Sequence, residues 1–460
     1  MRDRRPLLLL TLVATAFGED KLPVERLEIQ PPQGAPGLPY DPYRGIDRDG
    51  RIPKAKLPDD LPNPEHWRYV PEGRIKPGSI IERFFVTWFV SPIFYFEQDV
   101  GFGGGVSITD IDFRLQRRRE FGGIFFSRTT EGQERYSLVW QRKLNHRDLP
   151  GGGVISEEGS YIRAVGGYER TLTERFFGLG PDTREGDETS YTDERSTVHL
   201  LGQVTLPQPG DSLALRGGIR AEHHNLSRGK VTGRPSTEDV FPTLVAEADS
   251  RDALWLALAL RWDTRDSAIN PYRGWMAEFG VDTSPYQQGD GISGNPMGAL
   301  WTGRATWILP LPGLIHSGGT GDEENPPTDS LAVGAQVQWA TGEIPFYELP
   351  SLGGRDTLRG FIGNRFTDRA AWHASAEYRV WVVPRGFAIT DSVRIERLGI
   401  APFYDIGSVA PRLGDLDQAR VHDSIGIGLR AMLERTALFR FDLAHSQDGL
   451  GFNIAFGLSF

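Results

Sequence analysis

Several strings in this 460-residue chain put reactive side chains at spacings that chemistry could use. "HASAE" sets His373, Ser375 and Glu377 at alternate positions: a base, a nucleophile and an acid. On a strand, alternate residues share one face but sit roughly 7 Å apart at Cα. A serine triad needs direct contacts of about 3 Å and an oxyanion hole. The spacing therefore fits a polar row along a strand, with a membrane hydrolase as the lesser alternative. "GGRDTLRGF", Gly353 to Phe361, could cradle a phosphate or close a tight loop around Arg355, Asp356, Thr357 and Arg359. No helical pattern follows it, and a phosphate cradle draws on a helix N-terminus. "GFGGGVSI", Gly101 to Ile108, fails the dinucleotide pattern too, since neither the helix nor the later acidic residue is present. It reads as a glycine-rich strand.

Metal chemistry finds little support in the spacing. His223 and His224 are adjacent, but no second histidine or carboxylate cluster stands at ligand spacing. "DRDGRI", Asp47 to Ile52, would put Gly45 and Lys56 where a calcium loop carries carboxylates, so an Asp-Gly turn is the better reading. The sequence thus predicts no catalytic residue, no cofactor, no metal and no enzymatic activity.

The composition indicates what must position these residues. There are 55 glycines and 32 prolines, aromatics make up 11% and apolar residues only 39%, a mixture that suits strands and turns better than helices. The net charge of -10 argues against nucleic acid, despite a local "RLQRRRE" at Arg114 to Glu120. The absence of cysteine removes thiolate metal sites and disulfides from consideration.

The first residues read as an export signal. Arg2, Arg4 and Arg5 precede an apolar run from Leu7 to Val13, and Ala14 and Ala16 follow with small-residue spacing. This predicts a signal peptide over residues 1–18, cleaved near Ala16 to Gly18; a buried N-terminal helix is the alternative. No other apolar run approaches the ~18 residues of a membrane helix. Residues 19–78 are dense in proline and charge and read as an extended or partly disordered periplasmic segment.

From residue 79 to 460 the period is two. "GFNIAFGLSF" puts Phe452, Ile454, Phe456, Leu458 and Phe460 on one face. "LFRFDLAHS", "SIGIGLRAML", "AWHASAEYRVWVV" and "ALWLALALRWDTRD" alternate likewise, and "APFYDIGSV" puts Phe403, Asp405 and Gly407 opposite Tyr404 and Ile406. The apolar faces carry large aromatics, and the polar faces mix charges with small residues. With strands of about 9–11 residues, this favours an outer-membrane barrel over a secreted sandwich, because in hydrocarbon a closed barrel pairs every backbone group. "GPDTREGDETSYTDERS" and "IHSGGTGDEENPPTDS" are acidic enough to be outward-facing loops.

"LPSLGGRDTLRGF" together with "FYDIG", "SAEYR", "WDTRD" and the terminal Phe460 resembles the BamA/TamA superfamily, the bacterial surface antigen barrels. The resemblance covers about residues 80–460. It implies an all-β fold: a transmembrane antiparallel barrel of about 16 strands, with a long loop folded inward. It implies that Gly353, Gly354, Arg359, Gly360 and Phe361 form the lumen motif of that loop, with Asp405 and Glu377 as the acids that anchor Arg359. Phe456, Leu458 and Phe460 would form a C-terminal assembly signal on the lipid face. Members that assemble or export proteins carry periplasmic POTRA domains, and residues 19–78 are too short and too proline-rich for one. The expected role is assisting insertion or translocation of polypeptide or lipid in the bacterial outer membrane; a passive pore or structural surface protein is the alternative. The expected partners are outer-membrane lipid, the barrel-assembly machinery for its own insertion and a periplasmic protein, with no nucleic acid.

Overall fold

The computed structural model describes residues 51, 54–55, 57–70, 72, 75, 88–97, 99–150, 152–268, 270–289, 294–323, 326–388, 394–433 and 437–459. The signal-peptide reading, most of the Asp47–Ile52 turn and Phe460 lie outside the described residues.

An antiparallel meander of sixteen strands dominates the described residues. Its first half is β1 (Trp88–Glu97), β2 (Gly101–Asp110), β3 (Glu120–Thr129), β4 (Glu134–Lys143), β5 (Tyr161–Phe176), β6 (Thr189–Leu206), β7 (Leu213–Arg228) and β8 (Arg251–Asp263). Its second half is β9 (Gly274–Gln288), β10 (Gly298–Leu311), β11 (Asp329–Gly342), β12 (Ala370–Val383), β13 (Arg394–Ala410), β14 (His422–Leu433), β15 (Ala437–Ser446) and β16 (Gly449–Phe456). A two-residue strand, Phe387–Ala388, also pairs with the start of β13. Each strand pairs with its neighbours in chain order, and the sheet curls into a barrel.

The alternation has turned inside out relative to a soluble protein. On β14, Ile425, Ile427 and Leu429 are 60%, 49% and 57% exposed, whereas Ser424 and Arg430 are 1% and 2% exposed. On β8, Leu256, Leu258, Leu260 and Trp262 face outward while Trp255 is buried. A sandwich would bury those leucines and expose the arginine. Apolar side chains outside and charges within make a barrel whose outer surface meets lipid.

Two expectations need correction. Strands β5, β6, β7 and β13 run to 16, 18, 16 and 17 residues, well beyond the expected length. About 10 residues suffice to cross hydrocarbon, so these strands rise past it, and much of "TSYTDERS" is strand rather than loop. The acidic segments also do not share a side. Strands alternate in direction, so the β5–β6 connection (177–188) and the β10–β11 connection (312–328) emerge at opposite ends. The latter lies with the N-terminal segment, where Lys54 N donates to Asp322 O at 2.7 Å.

Part of that segment is a paired strand. Trp67–Val70 pairs with Val154–Glu157, which pairs with His146–Asp148, making a three-stranded sheet with the β4–β5 connection. Glu72 ties it down, accepting from Arg117 at 2.7 and 3.2 Å and from Gly153 N at 2.7 Å.

The β8–β9 turn at the same end carries a testable charge. Asp266 is half-buried, and its Oδ1 accepts from the Tyr272 and Arg273 amides at 3.2 Å each. Burial pushes its carboxyl up to about 6, against those two amides. A folded value above the unfolded one means that the stabilisation is fully present below the unfolded value and is lost as pH rises through about 6. Asp266→Asn keeps the acceptor without the charge. We expect thermal stability equal to wild type at pH 4 and higher at pH 8, read as the temperature of heat-modified electrophoretic mobility; identical profiles at both pH values would refute this.

Candidate functional site: a loop latched inside the barrel

The segment 343–369, between β11 and β12, crosses the lumen. It starts on the β5–β7 wall, where Phe346 packs with Phe176, Tyr191, Leu226 and Val245. Val245 belongs to a short helix, Pro242–Ala248, in the β7–β8 connection. The loop then pinches into a hairpin, Ser351–Leu352 against Phe366–Thr367. At its tip Gly353 adopts φ 116°, and a Cβ there would stand 2.2 Å from Ile362 O, so this reversal needs glycine. Gly354 N donates to Phe361 O at 3.0 Å. Phe361, 2% exposed, packs with Leu352, Leu358 and Phe366 against Ala371 of β12 and Val409 of β13. The loop therefore carries a small apolar core of its own into a polar lumen.

Arg359 lies at the end of that core, fully buried. Its Nε and Nη2 donate to the two oxygens of Asp405 at 2.9 and 2.8 Å, a bidentate pair, and its backbone N donates to Asp405 Oδ2 at 3.0 Å. Nη1 donates to Glu377 Oε2 at 2.8 Å, and Nη2 also reaches Ser375 Oγ at 3.2 Å. The guanidinium stacks 3.4 Å from the centroid of the Phe403 ring. The next residue fixes the backbone: Ser446 Oγ donates to Gly360 O at 2.9 Å, and Asn453 Nδ2 to Arg359 O at 2.9 Å. The structure thus brings Arg359, Glu377 and Asp405 together, with Gly360 and Phe361 beside them.

It also adds residues the sequence reading did not single out. Arg430 on β14 donates to Glu377 Oε2 at 2.6 Å and to Asp442 Oδ1 at 2.7 Å. Arg379 donates to Glu377 Oε1 at 2.8 Å, and Arg440 stands 3.3 Å from Asp442 and donates to Asp356 at 2.7 Å. Each sits at a lumen position of its strand, and a charge in the middle of "GLRAML" or "FRFDLA" was the available signal. Arg355, unexplained by sequence, is exposed and bonds its neighbour Asp356 at 3.1 Å. So Asp356, itself exposed, and not Arg355, ties the loop to the buried Arg440.

"HASAE" does face the lumen, with His373, Ser375 and Glu377 all buried. Ser375 donates its proton to Asp405 Oδ1 at 2.6 Å and accepts from Arg359. Ser375 and Glu377 thus hold the loop, and among the described residues no hydrogen bond joins Ser375 to His373. At the C-terminus the alternation stops early. Phe456 ends β16 opposite Phe439, Gly457 turns with φ 79°, and Leu458 packs against Trp381, Met432 and Leu438 instead of lipid.

The family model described as the Omp85 superfamily domain matches residues 165–460, which include β6 to β16, the loop and all of its partners. The chain belongs to the Omp85 superfamily. The BamA/TamA resemblance read from "GGRDTLRGF" and "FYDIG" agrees with this. Among solved structures, this Omp85 barrel is similar to BamA from Haemophilus ducreyi lacking POTRA domains 1-3. Identity there is 15%, coverage is 81% of this chain and 70% of that one, and the TM-score is 0.50, which shows the shared fold. CdiB from Acinetobacter baumannii aligns at 13% identity over 81% of this chain and 58% of its own, with a TM-score of 0.44. A comparison with curated protein sequences gives no match. No helix among the described residues is long and apolar enough to cross a membrane; the strands make the crossing.

Proposed function

We propose that this outer-membrane Omp85 barrel is non-enzymatic and assists the insertion or translocation of polypeptide or lipid, with the 343–369 loop acting as an internal plug. The observation that carries this reading is the burial of Arg359. Its guanidinium is spent on Asp405, Glu377 and Ser375, which suits holding a loop rather than reacting with a substrate. The loop fills one side of the lumen. Between β6 and β11 a cavity of about 250 Å³ remains, lined by Arg216, Arg220, Glu278 and Arg304.

The passive-pore alternative differs in its electrical signature. In planar bilayers the purified protein is expected to give small, fluctuating currents; large steady currents would establish an open pore instead. The proposed activity itself is read in liposomes, as faster insertion of an unfolded outer-membrane protein or faster exchange of a fluorescent lipid between leaflets. No acceleration of either would overturn the proposal. We further propose export by a cleaved signal peptide and a periplasmic partner recruited by residues 19–78, which the mass of the mature chain and copurification on that segment would test.

A further inference from the structure

We propose that Glu222, His224 and Glu348 form a site for one divalent transition-metal ion of the zinc or manganese class, clamping the base of the plug loop to the barrel wall.

Glu222 and His224 stand two apart on β7, so both point into the lumen. Glu348 reaches them from the loop's first turn. One ligand atom from each lies within 4.8 Å of the others. An ion held at about 2.0–2.2 Å by each would draw them closer still. The Glu348 carboxylate, carried on the loop and itself flexible, supplies that movement.

The imidazole is the observation that points to a ligand. His224 is 2% exposed, and its Nε2 has no hydrogen-bond partner. The facing acid oxygen, Glu222 Oε2, is 3.7 Å away, beyond hydrogen-bond reach. A buried polar nitrogen without a hydrogen bond is costly, and an ion would satisfy it. The other nitrogen is already committed: Nδ1 lies 3.0 and 3.2 Å from the two oxygens of Asp193. A proton on Nδ1 donated to that carboxylate leaves the Nε2 lone pair aimed at the two glutamates. This carboxylate–histidine arrangement is the one that orients metal-binding imidazoles. Tyr347 stacks on the ring at 4.4 Å between centroids and fixes its plane.

The surrounding donors leave lone pairs on both glutamates. Arg220 donates to Glu222 Oε2 at 2.6 Å and to the two Glu348 oxygens at 2.9 and 3.2 Å, and Trp255 Nε1 donates to Glu222 Oε1 at 2.5 Å. One guanidinium thus faces two glutamates, and lone pairs on both remain for an ion with Arg220 as an outer partner. One imidazole with two carboxylates suits zinc or manganese better than calcium or magnesium, which prefer oxygen alone.

The test uses the full mature chain without a histidine tag, stripped with chelator in detergent and titrated with zinc chloride and with manganese chloride by calorimetry. Wild type is expected to bind one ion per chain, and zinc is expected to raise the temperature of its heat-modified mobility. His224→Gln and Glu348→Gln should weaken binding at least tenfold and abolish that rise; Asp193→Asn should weaken binding by about 10- to 100-fold. His223→Asn, which alters the exposed neighbouring imidazole, should bind as wild type. Should the site variants fail to fold, cobalt-loaded wild type and His223→Asn still decide, since both should show the same visible absorption of a nitrogen- and oxygen-ligated ion. No stoichiometric binding by wild type, undiminished binding by His224→Gln, or loss with His223→Asn would each overturn the site.

Discussion

Replacing Arg359 by alanine is expected to free the plug loop while leaving export intact. The substitution removes the partner of a fully buried carboxylate. Glu377 keeps Arg379 and Arg430, but Asp405 loses its charged partner and keeps Ser375 and the backbone amide of residue 359. Breaking a buried ion pair on one side costs about 3–5 kcal/mol. The temperature of heat-modified mobility should therefore fall, and single-channel currents should grow as the loop leaves the lumen. Adding Asp405→Asn to Arg359→Ala should recover part of the stability, because the orphaned charge is then gone. Unchanged melting and unchanged current in Arg359→Ala would remove the latch from the explanation of this fold.

Gly360→Val should be nearly as damaging, for a steric reason. A Cβ at Gly360 would stand 2.8 Å from Ser424 Cβ and 2.9 Å from Ser446 Cβ. Those carbons belong to β14 and β15, where paired backbones cannot retreat. Overpacking of this kind costs about 1–3 kcal/mol. Here it would also pull Gly360 O away from Ser446 Oγ. Cutting back the wall with Ser424→Gly and Ser446→Gly should restore much of the loss. Wild-type loop docking in Gly360→Val, measured as protease resistance of residues 343–369 in intact cells, would contradict this close approach.

Much of the wall was legible because the side-chain period of a strand is simple. Ile425, Ile427 and Leu429 announce a lipid face, and Arg430 after them announces a lumen. The loop's acids were legible only through resemblance, since Arg359 and Asp405 are 46 residues apart and no local pattern joins them. Strand ends were the weak point. Nothing in a period of two says where hydrocarbon stops, so the heights of β5 to β7 were missed. The break at Gly457 was hidden for the opposite reason, because Leu458 keeps the alternation in sequence after the strand has ended. The Glu222, His224 and Glu348 cluster was invisible: its third member stands 124 residues beyond the second (348 − 224), on the loop that folds back.

The sixteen paired strands make the wall a hoop. The loop is its spoke. Arg365 donates to Thr183 Oγ1 at 3.0 Å on the early side and to Asp448 at 2.5 Å on the late side, while Glu348 takes Arg220 on the third. Braces across a hoop oppose its ovalisation. Stiffness of the whole circumference is thus delegated to a few side chains at its hub, and drawing out the spoke would soften every strand at once.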